Sequence, residues 1–255
     1  MEYLQLVLTR WMNATPKVLM VCLIISVFLD LILTKRIVFL RGLPAAMGQK
    51  GFWFQFLPGV GLGAVVFFDT GIIAWAQSLQ VPIVTAWIRV GAHLGRWIWL
   101  YVALAYWVMR ILRLPRMAKL FSFALTTTLF TAVVTHGLKF LIARARPYEN
   151  LGALSWFNHA GGVQDRRGFQ SFPSGDAAIV AAVAFFFFYA TPSRFWRWLW
   201  LLFPLATAFS RVTLNKHWPS DTLGAWILAN AFAWLFYKLY CREIEEKSSK
   251  VSAAV

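Results

Sequence analysis

Ser210-Arg211-Val212-Thr213-Leu214-Asn215-Lys216-His217-Trp218-Pro219-Ser220-Asp221 gathers cations, an imidazole and a carboxylate within twelve residues, between the apolar runs Trp196 to Phe209 and Asp221 to Tyr240. Apolar flanks of this kind read as membrane-crossing helices, so the polar stretch falls where a transmembrane chain meets water. Ionisable residues at such a place are costly and usually serve a function. The plainer reading of the same residues is snorkelling cations beside an interfacial Trp.

Two further clusters change the balance. Lys139-Phe140-Leu141-Ile142-Ala143-Arg144-Ala145-Arg146-Pro147 and Phe172-Pro173-Ser174-Gly175-Asp176-Ala177 each stand at the end of an apolar run as well. The chain as a whole has 255 residues, 60% hydrophobic, 17% aromatic and only 14% charged, with a mean hydropathy of +0.61. That composition lies outside the range of soluble domains, and alternation with period two, the mark of a membrane β-barrel, is absent.

The expected fold is therefore all-α, a polytopic transmembrane helical bundle of about six spans, with interfacial helices. A net charge of +15 would suggest nucleic acid in a soluble chain. Here the cations fall between membrane segments without an aromatic-basic RNA motif, so nucleic acid is not an expected partner and anionic head groups are. Cys22 lies in an apolar segment and Cys241 near the end of the sequence, which supports no disulfide framework. No cleavable signal peptide is expected, because the first apolar run continues past Asp30 without a small-residue cleavage pattern.

In chain order, Arg10, Trp11 and Lys17 suit the head-group layer, and Val18 to Leu33 is the first expected span. Residues 52–68, apolar but rich in Gly and Pro, read equally as a span, a re-entrant segment or a surface helix. Between Asp69 and Leu94 the interruptions Gln77, Gln80, Arg89 and His93 suit helices lying along the interface. Further spans are Trp97 to Leu112, Leu120 to Lys139, Ala177 to Ala190, Trp196 to Phe209 and Asp221 to Tyr240. The division is an N-terminal part (1–94), a core (95–240) and a charged cytoplasmic tail (241–255).

Counting crossings puts the three polar clusters on one side of the membrane. The other side receives Arg110, Arg113, Arg116, Lys119, Arg194, Arg197, Lys238, Arg242, Lys247 and Lys250. By the positive-inside tendency that side is cytoplasmic, which places the clusters at the periplasmic face of a bacterial inner membrane.

The clusters carry recognisable chemistry. Lys139 and Arg146 are two helical turns apart and share a face if the helix persists, although Pro147 disfavours helix at Arg146. With Arg211 they can surround a phosphate; each alone also reads as flanking charge. Ser174 reads as an N-cap, with Gly175 and Asp176 in the first helical turn, an anion-binding arrangement as well as a well-capped helix. Asp221 can accept the Nδ1 proton of His217 and leave Nε2 free as a nucleophile, or serve only as a favourable first-turn acid.

Lys-x6-Arg-Pro, Pro-Ser-Gly-x and Ser-Arg-x5-His-x3-Asp, in this order and spacing, resemble the three-part signature of the type 2 phosphatidic acid phosphatase superfamily over roughly residues 95–240. The resemblance implies a metal-independent phosphoester hydrolase with a helical core and no cofactor. His217 would form a phosphohistidine, Asp221 would orient it, and Lys139, Arg146, Arg211, Ser174 and the Gly175 amide would hold the phosphoryl oxygens. Most relatives have His after Pro-Ser-Gly, as the acid for the leaving oxygen, where this chain has Asp176, which is the catalytic candidate at that position and reads otherwise as a residue that orients a cation or as a favourable first-turn acid. His159 and His136 are candidate substitutes. The Gly-Asp-Ala sequence is similar to the lipid A 4′-phosphatase branch, which makes a phosphorylated membrane lipid of lipid A type the expected substrate. The alternatives are undecaprenyl diphosphate phosphatase, a lipid phosphotransferase, and a non-enzymatic phospholipid-binding or transport protein.

Overall fold

The computed structural model describes residues 43–79, 82–157 and 168–252. The expected span Val18 to Leu33, the interfacial residues Arg10, Trp11 and Lys17, and His159 lie outside the described residues.

Among the described residues the chain is all-α. Two short helices, α1 (Leu43–Met47) and α2 (Lys50–Phe54), lead through a 3-10 turn (Leu57–Gly61) into α3 (Leu62–Ser78). Then follow α4 (Pro82–Ile111), α5 (Pro115–Ile142), α6 (Gly175–Ala190), α7 (Arg194–Leu199), α8 (Leu202–Thr213) and α9 (Pro219–Ser252). The Pro and Gly residues of 57–61 tighten the chain into the 3-10 turn between α2 and α3, so 52–68 is not one continuous α-helix.

The chain departs from the expected boundaries in three other places. Residues 82–94 are not a separate interfacial helix but the first half of α4, whose polar Arg89 and His93 lie on its exposed side. Asp69, the expected start of the interfacial stretch, sits inside α3 and is fully buried. The run Trp196 to Phe209 is divided at Trp200 and Leu201 into α7 and α8.

Helix α6 occupies the middle of the bundle. Its alanines make that possible: Ala177 and Ala178 meet Ala225, and Ala181 and Ala182 meet Ala229, so α6 and α9 approach closely. Deeper, Phe123, Phe186, Phe232, Phe236 and Tyr106 fill one continuous apolar core. On α5 the hydroxyls of Thr127, Thr128 and Thr131 donate to carbonyls one turn back, which satisfies them inside the bundle.

The outside of the bundle is apolar too. Phe67 (74% exposed), Ile111 (76%) and Val133 (70%) point away from the core, a surface suited to lipid and poorly suited to water. The stretches Lys50–Ser78 and Pro115–Glu149 are long and apolar enough to cross a bilayer, and Gly175–Ala190 is a shorter apolar helix. The chain is a membrane protein.

Close approach of α4 to α8 depends on Gly91. A Cβ there would lie 2.0 Å from the Ala206 carbonyl oxygen and 2.5 Å from its carbon, backbone atoms with no rotamer to change. Gly91→Ala is expected to destabilise the bundle by about 1–3 kcal/mol through overpacking, read as a lowered thermal midpoint in detergent. A midpoint equal to that of the unsubstituted protein would show that α4 and α8 can separate without cost.

Candidate active site

The C-terminus of α5, the N-terminus of α6, the C-terminus of α8 and the N-terminus of α9 meet at one end of the bundle. The opposite end is marked by the Lys119–Glu243 ion pair, between the first turns of α5 and the far part of α9. All three sequence clusters therefore converge, as the count of crossings requires.

Helix α5 stops at Ile142 because Ala143 turns left-handed (φ 43°), its N–H donating to the Lys139 carbonyl. The helix thus does not persist to Arg146, and Lys139 and Arg146 share no helical face. They reach the site separately, Lys139 from the last helical turn and Arg146 from the extended residue ahead of the 3-10 turn Pro147–Glu149.

Lys139 Nζ donates to the Gln170 carbonyl at 2.7 Å, and Gly175 lies against its stem, close enough that a Cβ would sit 3.6 Å from Cε. Ser174 occupies the N-cap position of α6, but its hydroxyl caps nothing. Its backbone N–H donates to the Asp221 carbonyl at 3.0 Å, tying the start of α6 to the start of α9.

His217 follows α8 in a tight loop, its N–H and that of Lys216 both directed at the Arg211 carbonyl (3.3 and 3.1 Å). The imidazole is buried, with Nδ1 2.8 Å from the Ser171 carbonyl and 3.5 Å from Asp221 Oδ2. A carbonyl can only accept, so Nδ1 carries the proton and Nε2 has the free lone pair. The sequence reading gave that orienting role to Asp221 alone; the shorter contact is to Ser171, which carries no sequence signal. Burial pushes the His217 imidazole down to about 4, the Asp221 contact opposes this, and the Lys139 and Arg146 charges add to it.

Asp176 pairs with Arg211. Its Oδ2 lies 3.1 Å from Arg211 Nη1, in a half-exposed ion pair, while Arg211 Nη2 donates to the Ala92 carbonyl at 3.3 Å. Gly95 on α4 leaves room for this pair, since a Cβ there would come within 2.9 Å of Arg211 Nη2. His136 lines a groove of about 430 Å³ between α5 and α6 with Val133, Thr135, Lys139, Gly175 and Ile179.

Three buried polar atoms at the sequence-predicted positions have no hydrogen-bond partner: Arg146 Nε, Ser174 Oγ and Arg211 Nε. They come from three different segments. Leaving buried donors unmade costs about 1–3 kcal/mol each unless something polar meets them, and an oxyanion fits donors of this kind.

Sequence reasoning missed a layer beneath these residues. Arg144, wholly buried, donates from Nη1 to Asp221 Oδ1 (2.6 Å) and Ser220 Oγ (2.7 Å), and from Nη2 to Asp69 Oδ2 (2.7 Å). Its Nε and Nη2 also reach the Ala153 carbonyl, and its guanidinium lies 4.2 Å from the Trp156 ring. Asp221 Oδ2 accepts from Ser171 Oγ and from the Trp218 N–H.

A family model described as the PAP2 superfamily matches residues 119–245. The chain is 28% identical over 123 residues to a lipid A 1-phosphatase of Rhizobium etli, covering 48% of this chain and 50% of that relative. It is 27% identical over 100 residues to an undecaprenyl-diphosphatase of Sulfolobus acidocaldarius, covering 38% of this chain and 44% of that one. The chain thus spans about half the length, or less, of the curated relatives it matches. A crystal structure of Aquifex aeolicus LpxE shares the fold with a TM-score of 0.51 at 17% identity, over 67% of this chain and 95% of that one.

Proposed function

Because the chain belongs to the PAP2 superfamily through residues 119–245, we propose that it is a membrane lipid phosphatase that passes the phosphoryl group through His217. The single observation that carries this reading is the set of unpartnered buried donors, Arg146 Nε, Ser174 Oγ and Arg211 Nε, at the motif positions that converge with His217. A phosphate set among them completes their hydrogen bonds.

In this reading Nε2 of His217 attacks phosphorus as the bond to the lipid oxygen breaks, that oxygen taking a proton from solvent; water then adds to phosphorus, the N–P bond returns its electron pair to the imidazole, and phosphate leaves. The positive charge that develops on the imidazole is met by the Ser171 carbonyl and Asp221. Lys139, Arg146, Arg211, the Ser174 hydroxyl and the Gly175 amide hold the equatorial oxygens, an electrostatic mode of phosphoryl transfer. Asp176, ion-paired with Arg211, orients that guanidinium.

The groove between α5 and α6 supports an amphiphilic substrate. It shares Lys139 and Gly175 with the phosphate positions and continues along apolar Val133 and Ile179 on the outer side of the bundle. The lipid A 1-phosphatase relative and the Gly-Asp-Ala sequence both favour a lipid A-type phosphate. The undecaprenyl-diphosphatase relative favours a polyprenyl diphosphate as the second reading. The cations opposite the site support a bacterial inner membrane protein with its site facing the periplasm and residues 241–255 as a cytoplasmic tail.

The test is phosphate release in detergent from lipid A bearing a 1- or a 4′-phosphate, phosphatidylglycerol phosphate and undecaprenyl diphosphate, with product analysis to detect transfer to another lipid. Preference for lipid A is expected. Release from none of the four, with no transfer, would overturn the phosphatase reading.

A pH profile follows from His217. The nucleophile must be neutral, and its buried imidazole stays neutral well below the usual 6.5. The enzyme's acid limb of kcat/KM should therefore appear as pH falls toward about 4, once the substrate's own second ionisation is divided out. A limb near 6.5 would show that the imidazole is solvated during turnover.

A further inference from the structure

Asp69 lies on α3, outside the stretch matched by the superfamily and far in sequence from every motif residue. It is fully buried, and all its contacts are as an acceptor: Oδ1 from the Ser220 N–H at 2.8 Å, Oδ2 from Arg144 Nη2 at 2.7 Å and from the Ser220 hydroxyl. That pattern is the pattern of an ionised carboxylate. A carboxylate inside an apolar helix is costly and persists where it has a partner and a use.

We propose that Asp69 is a positioning residue of the catalytic centre, so that α3 completes the active site by holding Arg144 and Ser220 behind Asp221. The inference rests on the phosphatase reading above and adds a residue to it. The geometry makes the connection in two steps. Ser220 immediately precedes Asp221, so Asp69 fixes the first turn of α9 through its backbone N–H as well as its hydroxyl. Arg144 uses the two ends of one planar fork, Nη2 on Asp69 and Nη1 on Asp221 Oδ1, which leaves Asp221 Oδ2 turned toward His217.

Charge adds a second consequence. With two carboxylates sharing one guanidinium, the buried cluster keeps an excess of negative charge beside an imidazole that becomes positive when its Nε2 bonds to phosphorus. Without Asp69, the Arg144 charge is balanced by Asp221 alone and that excess is gone. The lost interaction is one made in the transition state, whereas ground-state binding rests on Lys139, Arg146 and Arg211, which Asp69 does not touch. The signature is therefore a fall in kcat with KM preserved.

The experiment uses the full chain in detergent and compares wild type, Asp69→Asn, Ser220→Ala and His217→Ala on the best substrate of the panel. Rapid-quench measurement of protein-bound phosphate accompanies the steady-state constants. Asp69→Asn keeps the side-chain volume but sets an amide donor against donors. Its kcat and its rate of phosphoenzyme formation are expected to fall about 10- to 100-fold, the scale known for groups that orient metal-ligating side chains from behind. KM should stay within about twofold. Ser220→Ala, which removes only the hydroxyl link, should show a smaller fall of the same kind and serves if Asp69→Asn does not fold. A folded Asp69→Asn or Ser220→Ala protein with wild-type kcat, or one whose loss lies wholly in KM, overturns the proposal. Wild type that releases phosphate without forming His217-dependent phosphoenzyme overturns the phosphohistidine reading instead.

Discussion

His217→Ala is expected to lower phosphate release by at least about 10⁴-fold, the scale set by removing a nucleophile from a preorganised centre. The expected loss lies in kcat. Lys139, Arg146 and Arg211 remain, and two of them are anchored without the imidazole: Lys139 is tethered by the Gln170 carbonyl and Arg211 by Asp176 and the Ala92 carbonyl. The variant should therefore still bind vanadate or inorganic phosphate while forming no protein-bound phosphate. Both properties are measurable in one preparation, by competitive protection in a binding assay and by rapid quench with labelled substrate. Activity above about one hundredth of wild type, with binding intact, would assign the nucleophile to some other group.

The reason this centre could be read in the sequence is that its outer groups sit within short motifs at helix ends. Lys139, Ser174, Gly175, Arg211, His217 and Asp221 are each fixed by a local spacing, and the apolar runs between them force the ends together. The layer behind them was less legible for different physical reasons. Arg144 stands two residues before Arg146 in an ordinary basic cluster, and only the left-handed turn at Ala143 sends it inward rather than to the surface. Asp69 did carry a signal, an acid inside an apolar run, but that signal also suits a helix boundary, and nothing local names a partner some 75 residues away. Ser171 contributes a backbone carbonyl, which any residue possesses. The helix breaks were legible only in part: Pro58 and the glycines of 57–61 announce the 3-10 turn, whereas polar Arg89 and His93 on one side of a continuous α4 imitate an interfacial segment.

Arg144→Gln is expected to be the most destabilising single change in the described structure, by about 3–5 kcal/mol, because removing one partner of a buried ion pair strands the other. Here it strands two. Asp69 and Asp221 are both fully buried, and both lose their guanidinium. The packing loss adds to the charge loss, since the guanidinium lies between the Trp156 ring at 4.2 Å and the Trp218 ring at 5.4 Å. Thermal unfolding in detergent followed by tryptophan fluorescence reads both, because two of the reporting rings flank the substitution. The size of the effect distinguishes it from Arg146→Gln, whose half-buried side chain makes no ion pair among the described residues and whose removal should weaken substrate binding with little change in midpoint. A second comparison separates charge from shape. Arg144→Gln combined with Asp69→Asn removes one of the stranded carboxylates, and should recover part of the lost stability if uncompensated charge is the cause. Failure of the double variant to recover any would point to packing against Trp156 and Trp218, and an Arg144→Gln midpoint equal to wild type would show that the buried network does not hold α3, the loop after α5 and the start of α9 together.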